Sequence, residues 1–159
     1  MEVEYRYILK PLDRKYIKDI LESTKVFYDY EIKIALEILD EYYQKEEQCG
    51  YYFILAEVEG KVIGYVNYGP VPCTQTSWDI YWIAVRKDIM SKGIGSELIA
   101  IAEERIRKMK GKNIWVETSA RKDYLPTRTF YEKMKYAIAA ELKDFYAPDD
   151  HKVIYHKAL

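Results

Sequence analysis

Very little in this chain points to a cross-linked, membrane-embedded or nucleic-acid-binding protein. It has 2 cysteines, Cys49 and Cys73, with neither metal-ligand spacing nor a disulfide framework. A reducing, cytoplasmic setting is expected. The 2 histidines, His151 and His156, stand late in the chain and read as surface or final-strand packing, so no metal site is expected. No apolar run is long enough to cross a bilayer, and no signal-peptide core is evident. The formal net charge of -1 supplies no general attraction to nucleic acid or to an anionic membrane. No repeat, low-complexity linker or charge block divides the 159 residues, which read as a single domain, 1–159.

Tyrosine is what the chain has in abundance, with 17 copies. Most should pack half-buried with a polar tip, and a few are free to line a pocket. A first strand is expected over Glu4–Lys10, ended by Pro11, with Asp13 capping a short helix. A second helix runs from about Asp29 to Glu46, since Ile32, Ala35, Leu36 and Leu39 share one helical face. Tyr51–Glu59 and Lys61–Tyr68 flank a Glu59-Gly60 turn, a hairpin signal, and Gly69-Pro70 with Pro72 should break the second strand. Trp78–Val85 and Asn113–Thr118 are branched and aromatic strands, and two more strands close the chain. The order β-α-α-β-β-β-α-β-α-β-β predicts an α/β (α+β) fold, a mixed sheet with helices on both faces.

Gly93 and Gly95 stand directly before a patterned helix. That helix should bury Leu98, Ile101, Ala102, Ile106 and Met109 and expose Glu103, Glu104, Arg105 and Lys108. A helix start carries unpaired N–H groups and a partial positive charge, which suit phosphate oxygens. Glycines let a phosphate approach the backbone, Ser96 adds a hydroxyl and Lys92 a charge. Lys92, Gly93, Ile94, Gly95 and Ser96 are therefore a candidate pyrophosphate cradle, with a plain turn as the alternative. The P-loop pattern is absent, and Leu98 stands where the dinucleotide fingerprint needs its third glycine.

Ala84-Val85 followed by Met90-Ser91-Lys92-Gly93-Ile94-Gly95 resembles motif A of the GNAT superfamily of acyl-CoA-dependent N-acetyltransferases. Met90 departs from the family's usual Gln or Arg. Thr127–Tyr136 resembles motif B through Phe130-Tyr131 and Tyr136, with Lys135 in place of the customary glycine, and Tyr124 stands where many members have Asn. The resemblance implies a mostly antiparallel sheet of six or seven strands with two central strands splayed apart. It implies acetyl-CoA as co-substrate, no metal, and pantetheine bonded along Ile83, Ala84 and Val85. The diphosphate then falls on Met90 through Ser96, and Tyr124, Thr127 and Phe130 complete the cofactor site.

The resemblance further implies direct acyl transfer to an amine. Tyr131 aligns with the family's proton donor to the leaving thiolate. An N–H near Ile83 is expected to stabilise the oxyanion. By strand alternation Asp79, Tyr81, Ile83 and Val85 share one face, and Asp79 resembles the position of a glutamate base in some members. Glu117 is a second candidate base, with a structural pair to Arg121 or Arg128 as its alternative role. The acceptor is expected to be a small-molecule or amino-acid-like amine. Its candidate walls are Tyr68–Ser77, Lys25–Tyr30, the Tyr124 region and Asp144–Asp150. An acyl-CoA-binding sensor without turnover, and a nucleotide-binding α/β domain, are the other classes the motifs allow. The last strands offer a possible homodimer contact.

Overall fold

A computed structural model describes residues 1–159. Its elements are β1 (Glu4–Arg6), α1 (Asp13–Thr24), α2 (Asp29–Lys45), β2 (Tyr52–Val58), β3 (Lys61–Pro70), β4 (Ser77–Val85), α3 (Ile94–Lys108), β5 (Asn113–Ser119), α4 (Leu125–Lys133), β6 (Ala137–Ala147) and β7 (Asp150–Ala158). The element order is the one read from sequence. The strands form one seven-stranded sheet, β1-β2-β3-β4-β5-β7-β6. Every pair is antiparallel except β4 with β5. No helix is long and apolar enough to cross a membrane.

Each face of the sheet carries its own core. Leu98, Ala102 and Ile106 of α3 pack on Ile54, Val66, Ile80 and Val116. On the other face Ile17, Ile20 and Leu21 of α1 and Ala35 and Leu39 of α2 pack on Phe53, Leu55, Tyr65 and Ala84. The β2–β3 hairpin turns through Glu59 and Gly60, both at positive φ (50° and 75°), as a two-residue turn matched to strand twist requires.

Several local expectations change. β1 ends at Arg6 rather than Lys10, because the Arg6 guanidinium turns onto Asp13 in a fork of 2.8 Å bonds and also reaches Glu57. Asp13 also accepts the Lys10 N–H at 2.6 Å. Its carboxylate is spent on that turn and caps no helix. β3 runs on through Pro70, opposite Trp78, where the missing N–H falls on a strand end. Along α3 and its C-cap, Ile101, Met109 and Arg105, the last expected on the exposed side, are all half-buried, whereas Glu103 is 5 % exposed. Glu103 accepts bonds from the Tyr136 hydroxyl (3.0 Å) and from Lys157 Nζ (2.8 Å), the pairing a buried carboxylate needs.

Lys135 occupies the left-handed region at φ 69°, where a side chain is strained and glycine is not. Lys135→Gly is expected to stabilise the protein by up to about 1 kcal/mol, the relief of strain being partly offset by the freer unfolded chain. The measurement is the denaturant midpoint, which should rise at an unchanged slope.

The feature that positions the site is a parting of the sheet. β4 and β5 pair only from Ser77–Ile80 against Asn113–Val116. Beyond that point Tyr81–Val85 keep β3 on one side and have no strand on the other, while β5 stays with β7 through Ser119. Tyr81 is an extra residue at this fork, since Tyr68 faces Ile80 and Asn67 faces Trp82. Such a bulge shifts the alternation by one. Trp78 and Ile80 before it, and Ile83 and Val85 after it, share the α3 face. Asp79 belongs with Trp82 and Ala84 on the α1–α2 face. The single face expected for Asp79, Tyr81, Ile83 and Val85 is therefore interrupted at Tyr81.

Candidate active site

The loop from β4 to α3 is built to leave amides free. Arg86 pairs with Asp88 (2.6 Å), and buried Ile89 anchors the loop. Ser91 (φ 69°) and Gly93 (φ 87°) then take left-handed conformations, and Gly93 becomes the N-cap of α3. A left-handed cap is natural for glycine and strained for any side chain. No side chain caps the helix, and its first internal bond is Glu97 N–H to the Gly93 carbonyl, at 3.0 Å. The N–H groups from Ser91 through Ser96 donate to no acceptor in the protein. Open amides at the positive end of a 15-residue helix fit a diphosphate. Ser91, Lys92 and Gly93 are exposed, and Met90 is 42 % exposed beside them. Ile94 is buried and holds the helix start to the core. At Gly95 a Cβ would meet the Phe130 ring at 3.5 Å, so Phe130 of α4 leans on the first turn of α3.

The unpaired edge of β4 leads from this cradle into the parting of the sheet. Ala84 and Val85 are buried, each in the core of one face, while Ile83 reaches the gap. The gap is a cleft of about 570 Å³. β4 contributes Asp79 and Trp82, β5 contributes Glu117 and Ser119, and the α4 side contributes Tyr124, Thr127 and Tyr131. Phe27, Tyr28, Tyr30 and Glu31 reach it from the α1–α2 corner, and Tyr146 and Asp150 from the last hairpin. The expected Lys25–Tyr30, Tyr124 and Asp144–Asp150 walls are thus in place, but Tyr68–Ser77 takes no part in the lining.

Tyr131 is clamped by Phe130, Tyr136 and Tyr155, with ring centroids 5.5–5.8 Å away. Its hydroxyl has no protein partner and lines the cleft. Burial, and secondarily Tyr155, holds its pKa above the ordinary phenolic value, so it stays protonated at neutral pH. The Asp79 carboxyl is pushed up to about 6, chiefly by burial and then by the nearby Glu117 charge. Glu117 pairs neither with Arg121 nor with Arg128. It forms an ion pair with Lys152 Nζ, 2.7 Å away, and its side chain is 54 % exposed. Lys152 itself lies 3.7 Å from the Phe145 ring centroid. The two histidines stay outside the cleft: His156 bonds Asn113 (2.8 Å), and His151 Nδ1 accepts the Asp144 N–H (2.8 Å).

Glu31, which sequence reasoning left unassigned, and Arg121, expected only as a partner for Glu117, tie the cleft together. Glu31 accepts the Tyr28 N–H at 2.7 Å and the Tyr124 hydroxyl at 3.2 Å, joining the start of α2 to the segment before α4. Arg121 lies against both tyrosine rings. The only hint in the sequence was their nearness to named walls.

A run of unbonded amides at the mouth of a parted sheet, with a protonated tyrosine and a carboxyl of raised pKa in the gap, is an arrangement suited to group transfer from a phosphorylated donor. The Acetyltransferase (GNAT) family model matches residues 16–136, and the chain belongs to that family. It is 36 % identical to a solved GNAT-family structure from Desulfovibrio desulfuricans, with a TM-score of 0.96 and 99 % of each chain covered. Over 116 residues it is 29 % identical to YjgM, an uncharacterised N-acetyltransferase of Escherichia coli (strain K12). That match covers 69 % of this chain and 66 % of YjgM, just under two thirds of the relative's length. The fold also matches the PaiA N-acetyltransferase from Thermoplasma acidophilum in complex with coenzyme A, at 14 % identity and a TM-score of 0.77, with both chains covered completely.

Proposed function

We propose that this protein transfers the acetyl group of acetyl-CoA directly to a primary amine of a small-molecule or amino-acid-like acceptor. The observation that carries the reading is the run of unbonded N–H groups from Ser91 to Ser96, set where the free edge of β4 leaves the cleft. The cradle takes the diphosphate, aided by Lys92 and Ser96. The open edge at Ile83, Ala84 and Val85 offers the donors and acceptors that the amides of a pantetheine arm require. Tyr124, Thr127 and Phe130 flank the arm from the α4 side. The bound co-substrate supplies an activated acyl thioester.

The residues of the cleft then divide the work. Asp79 takes a proton from the acceptor nitrogen, directly or through a water, and its pKa of about 6 leaves it mainly ionised at neutral pH. Glu117, already paired with Lys152, serves as the charge that raises Asp79 and as the weaker candidate base. As the new C–N bond forms, the carbonyl oxygen gains charge, which a β4 N–H near Ile83 is placed to receive. As the C–S bond breaks, the Tyr131 hydroxyl, free of protein partners, gives its proton to the sulfur. Tyr30 and Trp82 give the cleft aromatic surface suited to an ammonium group.

The test pairs binding with turnover. Acetyl-CoA and CoA should each raise the melting temperature and ATP should raise it less, because a ligand bound only by the native state stabilises it. Thiol release from acetyl-CoA should then require an added amine. Stabilisation by acetyl-CoA without release for any amine favours an acyl-CoA sensor, and a preference for ATP favours a nucleotide-binding domain. Activity confined to lysines of folded proteins defeats the small-acceptor reading.

A further inference from the structure

Arg121 differs from the other arginines withdrawn from solvent. Arg6 forks onto Asp13, Arg105 donates to the Tyr68 hydroxyl at 3.0 Å, and Arg128 donates to the carbonyls of Ser119 (2.8 Å) and Arg121 (2.9 Å). The Arg121 Nε is shut away from solvent with no acceptor, and the guanidinium touches the Tyr124 hydroxyl without bonding any carboxylate. The nearest carboxylate oxygen, on Asp150, stands 3.8 Å from Nε, within ion-pair range and beyond hydrogen-bond range.

The group is nonetheless held in place. Its central carbon lies 4.3 Å from the Tyr28 ring centroid and 5.1 Å from that of Tyr124. Its backbone N–H donates to Ser119 Oγ at 3.1 Å, and Arg128 holds its carbonyl. A guanidinium fixed in position on the wall of a cleft, its terminal N–H groups bonded to no carboxylate, is a receptor for a planar carboxylate.

The neighbouring carboxylates do not fill that role. Glu31 is bonded by the Tyr28 N–H and the Tyr124 hydroxyl, and Asp150 accepts the Ser119 hydroxyl. Their charges cancel the long-range pull of Arg121, so what it offers a ligand is directed hydrogen bonds. Glu117 is matched by Lys152, which leaves Asp79 as the carboxylate of the cleft with no bonded partner. The cleft thus presents one guanidinium that hydrogen-bonds no carboxylate and one carboxylate with no bonded partner. A simple monoamine meets only Asp79. A diamine sets a second cation beside Arg121. A molecule with both an amine and a carboxylate meets both groups.

We propose that the acceptor carries a carboxylate as well as the amine that is acetylated, as an amino acid or short amino-acid-like amine does, and that Arg121 receives that carboxylate. This rests on the reading of the chain as an acetyl-CoA-dependent N-acetyltransferase. The experiment measures kcat/KM by thiol release for matched sets of amino acids, their carboxamides and the corresponding decarboxylated amines. Wild type, Arg121→Gln and Arg121→Lys are compared, and melting temperature with and without acetyl-CoA checks that each variant folds and binds the donor.

Wild type should prefer the acid over its amide by at least about tenfold, since a site that hydrogen-bonds a group rejects the analogue lacking it. Arg121→Gln should bring that ratio close to one through KM for the acid. Arg121→Lys, which keeps the charge but loses the fork, should fall between. Equal or better turnover of amides or diamines by wild type overturns the inference. So does a parallel loss for acid and amide in the variants, which marks a structural role, or a rise in KM for acetyl-CoA with the ratio unmoved, which marks a donor contact. Turnover without acid preference sinks this inference alone; absence of turnover with every amine sinks the acyl-transfer reading as well.

Discussion

Tyr131→Phe is expected to lower kcat by about 10²–10³-fold, the range of a lost general acid, while leaving KM for both substrates within a few-fold. The structure makes this substitution unusually clean. The Tyr131 hydroxyl bonds nothing in the protein, so its removal orphans no partner, and the ring keeps its contacts with Phe130, Tyr136 and Tyr155. The melting temperature and its rise with acetyl-CoA should therefore stay at wild-type values. Single-turnover rates with a pre-bound donor isolate the step: the loss should appear there and not in donor affinity. A variant with wild-type kcat would reduce Tyr131 to a packing residue, and the acid would have to be sought elsewhere or dispensed with.

A variant at the cradle separates binding from chemistry. Gly93→Ala places a side chain at φ 87°, a strain of about 1–2 kcal/mol for an L-residue. It should lower the melting temperature slightly and weaken acetyl-CoA and CoA alike, as calorimetric titration would show. Because both ligands share the diphosphate, their affinities should fall by the same factor. A loss confined to acetyl-CoA would place the cradle's role elsewhere.

The course of the fold was legible where local chemistry decides it. Glu59-Gly60 marks a turn through backbone conformation, and the spacing of Ile32, Ala35, Leu36 and Leu39 marks α2 through its period. Gly93 and Gly95 marked the loop whose amides stay unbonded, and of the two it is Gly93, at φ 87°, whose conformation asks for glycine. What stayed hidden depends on pairing between distant segments. No glycine or proline flags the bulge at Tyr81; it arises from the register of β4 on β3, and it reverses which face Asp79 occupies. Glu103 looks like a surface residue in α3 until β7 brings Lys157 and the end of α4 brings Tyr136. The partner of Glu117 is set by β5–β7 pairing, which brings Lys152 within reach when nearby Arg121 and Arg128 looked the natural choices. Arg121, expected only as a mate for Glu117, stays hidden as a wall of the cleft for the same reason: that its guanidinium bonds no carboxylate is revealed only by the full set of contacts.

Asp79 supplies the second large effect, and two measurements on one variant should move in opposite directions. Its folded pKa of about 6 lies above the ordinary carboxyl value of 3.8, so the folded state holds this proton over a range in which the unfolded chain has released it. The contribution of Asp79 to stability is therefore most favourable below pH 3.8 and is lost as pH rises through about 6. Above that, the ionised carboxylate is a burden on the fold. Asp79→Asn removes the burden and should stabilise the protein at pH 8 by about 1 kcal/mol, a figure discounted for the partial exposure of the group. The same carboxylate is useful to the reaction only when ionised. Wild-type kcat/KM should rise with pH through a midpoint near 6, with any further rise at higher pH reporting the acceptor amine. In Asp79→Asn that lower limb should vanish and kcat should drop by about 10²-fold or more. Stability and activity thus separate. A charge serving only the fold would, on removal, change stability and leave the rate, whereas a base held ionised at a cost to folding gives a variant that melts higher and works worse. If Asp79→Asn keeps the wild-type rate and pH profile, the base is Glu117 or solvent, and the bulge that turns Asp79 to the α1–α2 face has removed it from the chemistry.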